Sequence, residues 1–311
     1  MERICTTSLI QGPLEEIVPW IEWHLKLGVD HMFLFLDHPN DDLTSKYKHE
    51  SRITFTPVDH DQIRQMQVPH PTAHVRRQFV TANKAWKSAI DQNFDWIIHF
   101  DQDEFIACSN GLCNELSKID KATSYVRFGL LELQPEFEPP KKRFDEPLLF
   151  RRRQSRIQRV IMQLRGCGGT MIKHRFLRGH QASKCAIRVQ SEQIKHINIH
   201  SPKLNYGTLE FDRFHPNIDL IHFNCLSYKH WRHKMTHRHQ SKNQSWAISK
   251  DKAWQMNAFV EYLHQRPKDL PQLFQKIYGI NRRQKKILLA LGALEQHTLF
   301  LEQASLIIPQ K

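Results

Sequence analysis

Over its first hundred residues the chain switches repeatedly between two hydrophobic periods. Residues 4–9 (ICTTSL) form a short run containing β-branched side chains; after Pro13, Ile17, Trp20, Ile21 and Leu25 recur at helical spacing until Gly28. Proline suits the first turn of a helix, where a missing N–H loses no bond, and glycine suits the position after a helix end. The pattern therefore predicts a strand followed by a helix. Residues 31–36 (HMFLFL) are a continuous apolar run of buried-strand length, and 52–57 (RITFTP) are a further short strand. Val75, Phe79, Ala82, Trp86 and Ala89 return to spacings of four and three, and 96–100 (WIIHF) end the series as a strand. Such alternation predicts an α/β fold, a mainly parallel Rossmann-like sheet flanked by helices. Ligands of such sheets bind beyond the carboxyl ends of the strands, which singles out residues 37–42 and 101–104.

Further along the regularity weakens. Strands are expected at 123–128, 186–189, 194–199 and 218–223. The stretch 136–178, rich in Arg and Pro and containing GCGG, reads as largely loop. After Ser227 helical spacing dominates, with helices expected around 254–263, 270–278 and 287–301. The expected division is a domain over 1–235, with halves 1–105 and 106–235, and a helical C-terminal extension over 236–311.

Composition narrows the class. The 311 residues include 45 Lys and Arg against 32 Asp and Glu, a net charge of +13, and 20 His. Apolar residues at 40% and charged residues at 25% match an ordinary soluble globular protein. No apolar run approaches the ~20 residues of a membrane span, and no basic segment leads into an apolar one as in a signal peptide. Six cysteines are scattered without a CxxC pair, which fits neither a secreted disulfide framework nor a zinc ribbon; a reducing, cytoplasmic location is expected. The basic and His-rich balance invites a nucleic-acid or zinc reading. No helix-turn-helix, RRM or KH pattern accompanies it, so no stable nucleic-acid partner is expected, although a basic nucleic-acid-binding protein stays the alternative class. The segment KHWRHKMTHRHQSK (229–242) lacks the Cys or carboxylate that would complete a zinc site; it is a solvated face or a phosphate grip.

The acidic residues are more specific. WIIHFDQDEF delivers Asp101 and Asp103 two residues apart at a strand end, followed by Glu104. Carboxylates held so close repel unless a cation joins them, and Mg²⁺ or Mn²⁺ is held by one or two carboxylates plus substrate phosphates. A solvated acidic turn is the plain alternative. Asp37 opens DHPNDD after the second strand, as a ligand for a base or ribose or as part of a local turn. His200 and His222 stand at strand ends, as imidazole ligands to a borderline metal or as hydrogen-bonded core residues.

Taken together, these segments resemble a bacterial subgroup of family 2 glycosyltransferases. LEEIVPWIEWHLKLGVDHMFLFLDHPNDD is similar to its opening helix and second strand, FDWIIHFDQDEF to its Asp-x-Asp-Glu-Phe metal motif, and SKCAIRVQSEQIKHINIHSP and LIHFNCLSYKHWRHK to later Lys- and His-containing blocks. The match is collinear over roughly 3–235. The resemblance implies a GT-A fold and transfer of a sugar, with inversion, from a nucleotide-sugar donor to a saccharide or lipid-linked acceptor, as in polysaccharide biosynthesis. It implies Mn²⁺ or Mg²⁺ as cofactor, held by Asp101 and Asp103 with His222 or His200. Asp37, Asp41, Asp101, Lys184 and Lys234 would bind the donor; residues 1–105 would form the nucleotide-sugar half and 106–235 the acceptor half. Glu132 and then Asp212 are the candidates for the general base. The chain departs from the subgroup in reading Asp-His-Pro-Asn-Asp after the second strand, Phe223 after the late His, and FGLLEL after the metal motif.

Two other classes remain. An Asp-nucleophile phosphatase carries its Asp pair after the first strand, not here, and an inactive GT-A-like scaffold would not need Asp101 and Asp103. The positive charge also suits peripheral contact with an anionic membrane, at its inner face.

Overall fold

A computed structural model describes residues 2–66, 73–168, 176–179, 182–209, 213–240, 250–301 and 304–307. The first third runs β1 (Ile4–Ile10), α1 (Leu14–Lys26), β2 (His31–Leu36), α2 (Asp41–Lys46), β3 (Ile53–Pro57), α3 (His60–Gln65), α4 (Ala73–Asp91) and β4 (Trp96–His99). Then follow β5 (Glu104–Ala107), α5 (Leu112–Ser117), β6 (Tyr125–Arg127), β7 (Gly129–Leu133), β8 (Pro147–Arg152), α6 (Arg156–Leu164), β9 (Cys185–Arg188), β10 (Ile194–Ile197), β11 (Pro202–Leu204) and β12 (Asp219–His222). The chain closes with α7 (Tyr228–Gln240), α8 (Lys250–Gln265), α9 (Leu270–Tyr278), α10 (Arg282–Ala290), β13 (Leu294–Phe300) and β14 (Ser305–Ile307).

These elements fall into two compact units. The first comprises Met1–Leu130, Ala182–His222 and Leu299–Ile307. Its main sheet has the order β3-β2-β1-β4-β9-β6. β3, β2, β1 and β4 run parallel, and β9 lies antiparallel to both β4 and β6. This is the α/β, GT-A type of fold expected from the sequence. The chain steps outward from β1 to β3 and then returns to place β4 on the other side of β1, so a topological switch point lies between β1 and β4. The small side chains of Ala82, Ala85 and Ala89 let α4 pack closely on Cys5, Leu9, Phe33, Phe35 and Ile97.

α1 is tied to β5 by hydrogen bonds rather than by apolar contact alone. The indoles of Trp20 and Trp23 donate to the carbonyls of Glu104 and Ile106 at 2.8 and 2.7 Å. The His24 ring bonds the Trp20 carbonyl through Nδ1 at 2.8 Å and accepts the Ile106 N–H at Nε2 at 3.2 Å. Its proton is thereby fixed on Nδ1, and burial lowers its pKa to about 3. The WIEWH block is thus a clamp on the strand that follows the acidic turn.

The second unit comprises Leu131–Gln181, Phe223–Thr298 and Ile308–Lys311. β8 pairs antiparallel with β7 and with β13. α7, α8 and α9 share a core in which Trp231, Phe259, Leu273 and Phe274 are buried, and Met162 of α6 joins Leu288, Ala293 and Leu294 in another.

The stretch 136–178, expected as largely loop, contains β8 and α6, and most of its other described residues lie outside helix and strand. One expectation needs correction. The C-terminal extension is not wholly helical, because α10 ends at Ala290 and residues expected to continue the helix form β13. Gly292, at φ +62°, turns the chain out of the helix, and residues 294–298 pair antiparallel with β8. By their contacts, residues 131–181 fall in the unit that holds the C-terminal helices.

Candidate active site

The acidic turn lies at the carboxyl end of β4, beside the switch point. Ser8 of β1 donates to the Phe100 carbonyl at 2.6 Å. Gln102, the middle residue of Asp101-Gln102-Asp103, accepts the Gln11 N–H at 2.8 Å and donates to the Gln11 carbonyl at 2.5 Å. A Cβ at Gly12 would stand 3.1 Å from that Gln102 amide, so the glycine lets the turn after β1 close on the motif. The antiparallel pairing of β12 with β5 sets His222 opposite Glu104, and His222 Nε2 is 3.5 Å from Asp103 Oδ2.

Asp101 is held from two sides. Gln78 of α4 donates to Oδ1 at 2.5 Å, and the Lys184 ammonium to Oδ2 at 3.0 Å. Lys184 is fully buried; it also bonds the Ile199 carbonyl at 2.9 Å and lies 3.5 Å from Glu104. Burial by itself lowers a lysine pKa, but the Asp101 and Glu104 carboxylates outweigh it and hold the group above its ordinary value. Glu104, fully buried, accepts the Asp101 N–H at 2.8 Å. His99 faces the Ile199 carbonyl through Nδ1 at 3.1 Å, and burial with the neighbouring Lys184 charge brings its pKa to about 4.

Asp37 is buried and makes a two-pronged ion pair with Arg77, at 2.6 and 2.8 Å. His60 bonds its carbonyl at 2.6 Å, and the rings of His60 and His38 stack 5.7 Å apart. Both histidines, with Ile63, Arg64, Arg76 and Arg77, line a cavity of about 310 Å³.

The structure brings together Asp101, Asp103, Lys184 and His222 of the expected residues. It departs from the expected roles in several places. Among the described residues no group of three or more His, Cys, Asp or Glu side chains is arranged to hold a metal ion; the set Asp101, Asp103, His222 and His200 is not preassembled, because Asp101 is turned to Gln78 and Lys184. Lys184 is a buried counter-ion rather than an exposed phosphate ligand. Asp37 is engaged by Arg77. Asp41 is exposed in the first turn of α2, whose cap is Asn40 accepting the Leu43 N–H. Lys234 bonds the carbonyl and side chain of Asn224 within the second unit. Glu132 is buried in β7 and accepts the N–H groups of Arg178, at 2.7 Å, and Gly179, bonds that give it a structural place in the second unit. Asp212 lies outside the described residues.

Sequence reasoning passed over Gln78, Arg77, His60 and Gln102. Gln78 left a signal: it continues the stripe of Ala82, Ala85 and Ala89 by one helical step, a polar residue in line with buried positions.

An open α/β sheet with carboxylates gathered at its switch point defines the class, a GT-A type of glycosyltransferase fold. The model of glycosyltransferase family 92 matches residues 4–258, and the chain belongs to that family. It is family 92, and not the family 2 subgroup of the motif resemblance, that the match supports. A glycosyltransferase-like protein of Arabidopsis thaliana is 25% identical over 185 residues, which are 51% of this chain and 40% of that protein; the chain thus spans about two-fifths of that relative's length. Among solved structures, Core-mannan synthase A from Aspergillus fumigatus in a Mn/GDP form is 12% identical, with 45% of each chain covered and a TM-score of 0.29. A mannosyltransferase from S. cerevisiae is 9% identical, with 41% of this chain and 39% of that chain covered and a TM-score of 0.27.

Proposed function

We propose that this glycosyltransferase moves a sugar from a nucleoside-diphosphate sugar to a hydroxyl of a saccharide or lipid-linked acceptor, with Mn²⁺ or Mg²⁺ as cofactor. The observation that carries the reading is the Asp101–Asp103 turn at the switch point with His222 3.5 Å from Asp103. Asp101, Asp103 and Glu104 gather three carboxylates on one short turn, an arrangement that suits a divalent cation. Asp103 and His222 offer the oxygen and nitrogen donors such an ion accepts, and the donor diphosphate would supply further oxygens. The ion, when bound, offsets the charge that develops on the leaving diphosphate.

The remaining roles belong to the chain itself. Lys184 holds Asp101 in place and lies against Glu104, and Gln102 holds the turn against β1. The cavity beside Asp37, with its stacked His38 and His60 and its arginines, fits the nucleoside end of the donor. Inversion rests on the motif resemblance, with Asp212 as the candidate base. The six free thiols accord with a reducing, cytoplasmic setting.

A thermal-shift series with nucleoside diphosphates and their sugars, with and without Mn²⁺, tests the reading. A shift that needs both the metal and one nucleotide is expected, absent in a folded Asp101→Ala, Asp103→Ala variant. Metal-dependent stabilisation that survives in that variant would overturn the assigned site.

A further inference from the structure

α6 presents its apolar side to solvent. Ile157, Val160, Ile161 and Leu164, spaced as one helical stripe, are 74%, 51%, 38% and 82% exposed. At about 100° per residue, the buried anchor Met162 points roughly 150° away from the centre of that stripe. The helix does not depend on the stripe for its formation. Ser155 and Gln158 close a capping box at its start, which satisfies two backbone donors, and Met162 packs into the core with Leu288 and Leu294. Four exposed aliphatic side chains in a row are unusual for a monomer surface.

The charges that α6 and its C-terminal flank carry are all of one sign. Arg156 borders it on one side and Arg165 on the other, both exposed, and α6 contains no acidic residue. α10, packed on the same small core, exposes Arg282, Arg283, Lys285 and Lys286, again with no acidic residue. An aliphatic stripe between arginines is the pattern of a helix that lies in the plane of a bilayer interface, its apolar side in the acyl boundary and its guanidinium groups at the phosphates. Nucleic acid would use the charges and leave the aliphatic stripe in water.

We propose that α6, with the basic side of α10, is a docking surface for an anionic lipid bilayer. The surface lies within the second unit and is independent of the donor site. Ile157 and Leu164 enter the interface; Arg156, Arg165 and the cations of α10 bind lipid phosphates.

Co-sedimentation of the full chain with phosphatidylcholine vesicles, with or without one-third phosphatidylglycerol, reads this directly. Binding to the anionic vesicles that weakens with salt is expected, with little binding to phosphatidylcholine alone. The pair Ile157→Gln and Leu164→Gln should weaken binding by more than about tenfold. The pair Arg156→Gln and Arg165→Gln should weaken it by about fivefold per residue. Both variants alter exposed side chains, so their unfolding midpoints should match the parent. Absence of binding by the parent chain, or equal binding by the Ile157 and Leu164 variant, overturns the proposal. So does a parent dimer in sedimentation equilibrium that this variant abolishes, which would assign the stripe to a second copy.

Discussion

Glu104 and Glu132 are both buried strand carboxylates that accept backbone N–H groups, yet their surroundings carry opposite charge. Beside Glu104 stand Asp101 and Asp103, at 30% and 41% exposure, with Lys184 as the buried counter-ion. Glu132 accepts backbone donors and lies near two arginines: Arg178, and Arg151, whose guanidinium bonds Gln134 and the Tyr278 carbonyl at 2.6 and 3.1 Å. Burial and the nearby Arg178 charge lower the pKa of Arg151 to about 9. One carboxylate thus sits closed among arginines, while the other neighbours two carboxylates that reach solvent. A buried carboxylate bound to backbone N–H groups holds the frame; a partly exposed carboxylate beside others is placed to meet a cation and a substrate.

Substitution should separate the two clusters by kind of effect as well as by size. Asp103→Asn is expected to lower donor turnover by about a hundredfold or more through loss of charge stabilisation, with little change in unfolding midpoint because the side chain is partly exposed. Normal turnover in this variant would end the comparison. Lys184→Met leaves two carboxylates without their buried cation and should destabilise the fold by about 3–5 kcal/mol in urea titration. A stable Lys184→Met protein would show that Asp101 and Glu104 do not depend on it. Acid should expose two of the buried imidazoles of the first unit, His24 and His99. His24 and His99 titrate near 3 and 4 when folded but near ~6.5 when unfolded. Below that unfolded value the unfolded chain binds the additional protons, so stability falls as pH falls, by about 3 kcal/mol for each group at about pH 4. A flat stability profile from neutral pH to that point would contradict their burial as neutral rings. Glu132→Gln should have the smallest effect, about 1–2 kcal/mol of stability with turnover unchanged; a hundredfold fall in turnover would point to Glu132 as a base.

Much of the fold could be read from the chain because its signals are local. The apolar run HMFLFL, the spacing of Val75 to Ala89 and the turn residues around Gly28 each report on a few neighbours, and β2, α4 and the end of α1 follow. α6 was hidden for a physical reason: its apolar positions do have helical spacing, but they lie between arginines in a stretch punctuated by proline and glycine. β13 was hidden because Ile287–Ala290 and Leu294–Leu301 are both apolar-rich, and Gly292 alone separates a helical from an extended period. At the site, Asp101 and Asp103 could be found because strand ends are where such sheets bind ligands. Partners could not be found that way. Lys184 meets Asp101 across 83 residues and Arg77 meets Asp37 across 40, separations at which spacing in the sequence carries no information. The roles of Glu132 and Lys184 turned on burial, which a charged letter in a sequence does not disclose.

The clamp of α1 on β5 has a consequence in time. Its three bonds join residues 84, 83 and 82 positions apart. On a ribosome adding about 5–20 residues per second, roughly 4–17 s pass between the synthesis of the tryptophans and that of their acceptors. During that interval two indoles and an imidazole have no strand to bind, and the helix that carries them has nothing to dock against. Docking of α1 and shaping of the acidic turn then become one event, so a chain released before Ile106 would contain every residue of the first clamp partner and none of the architecture it builds.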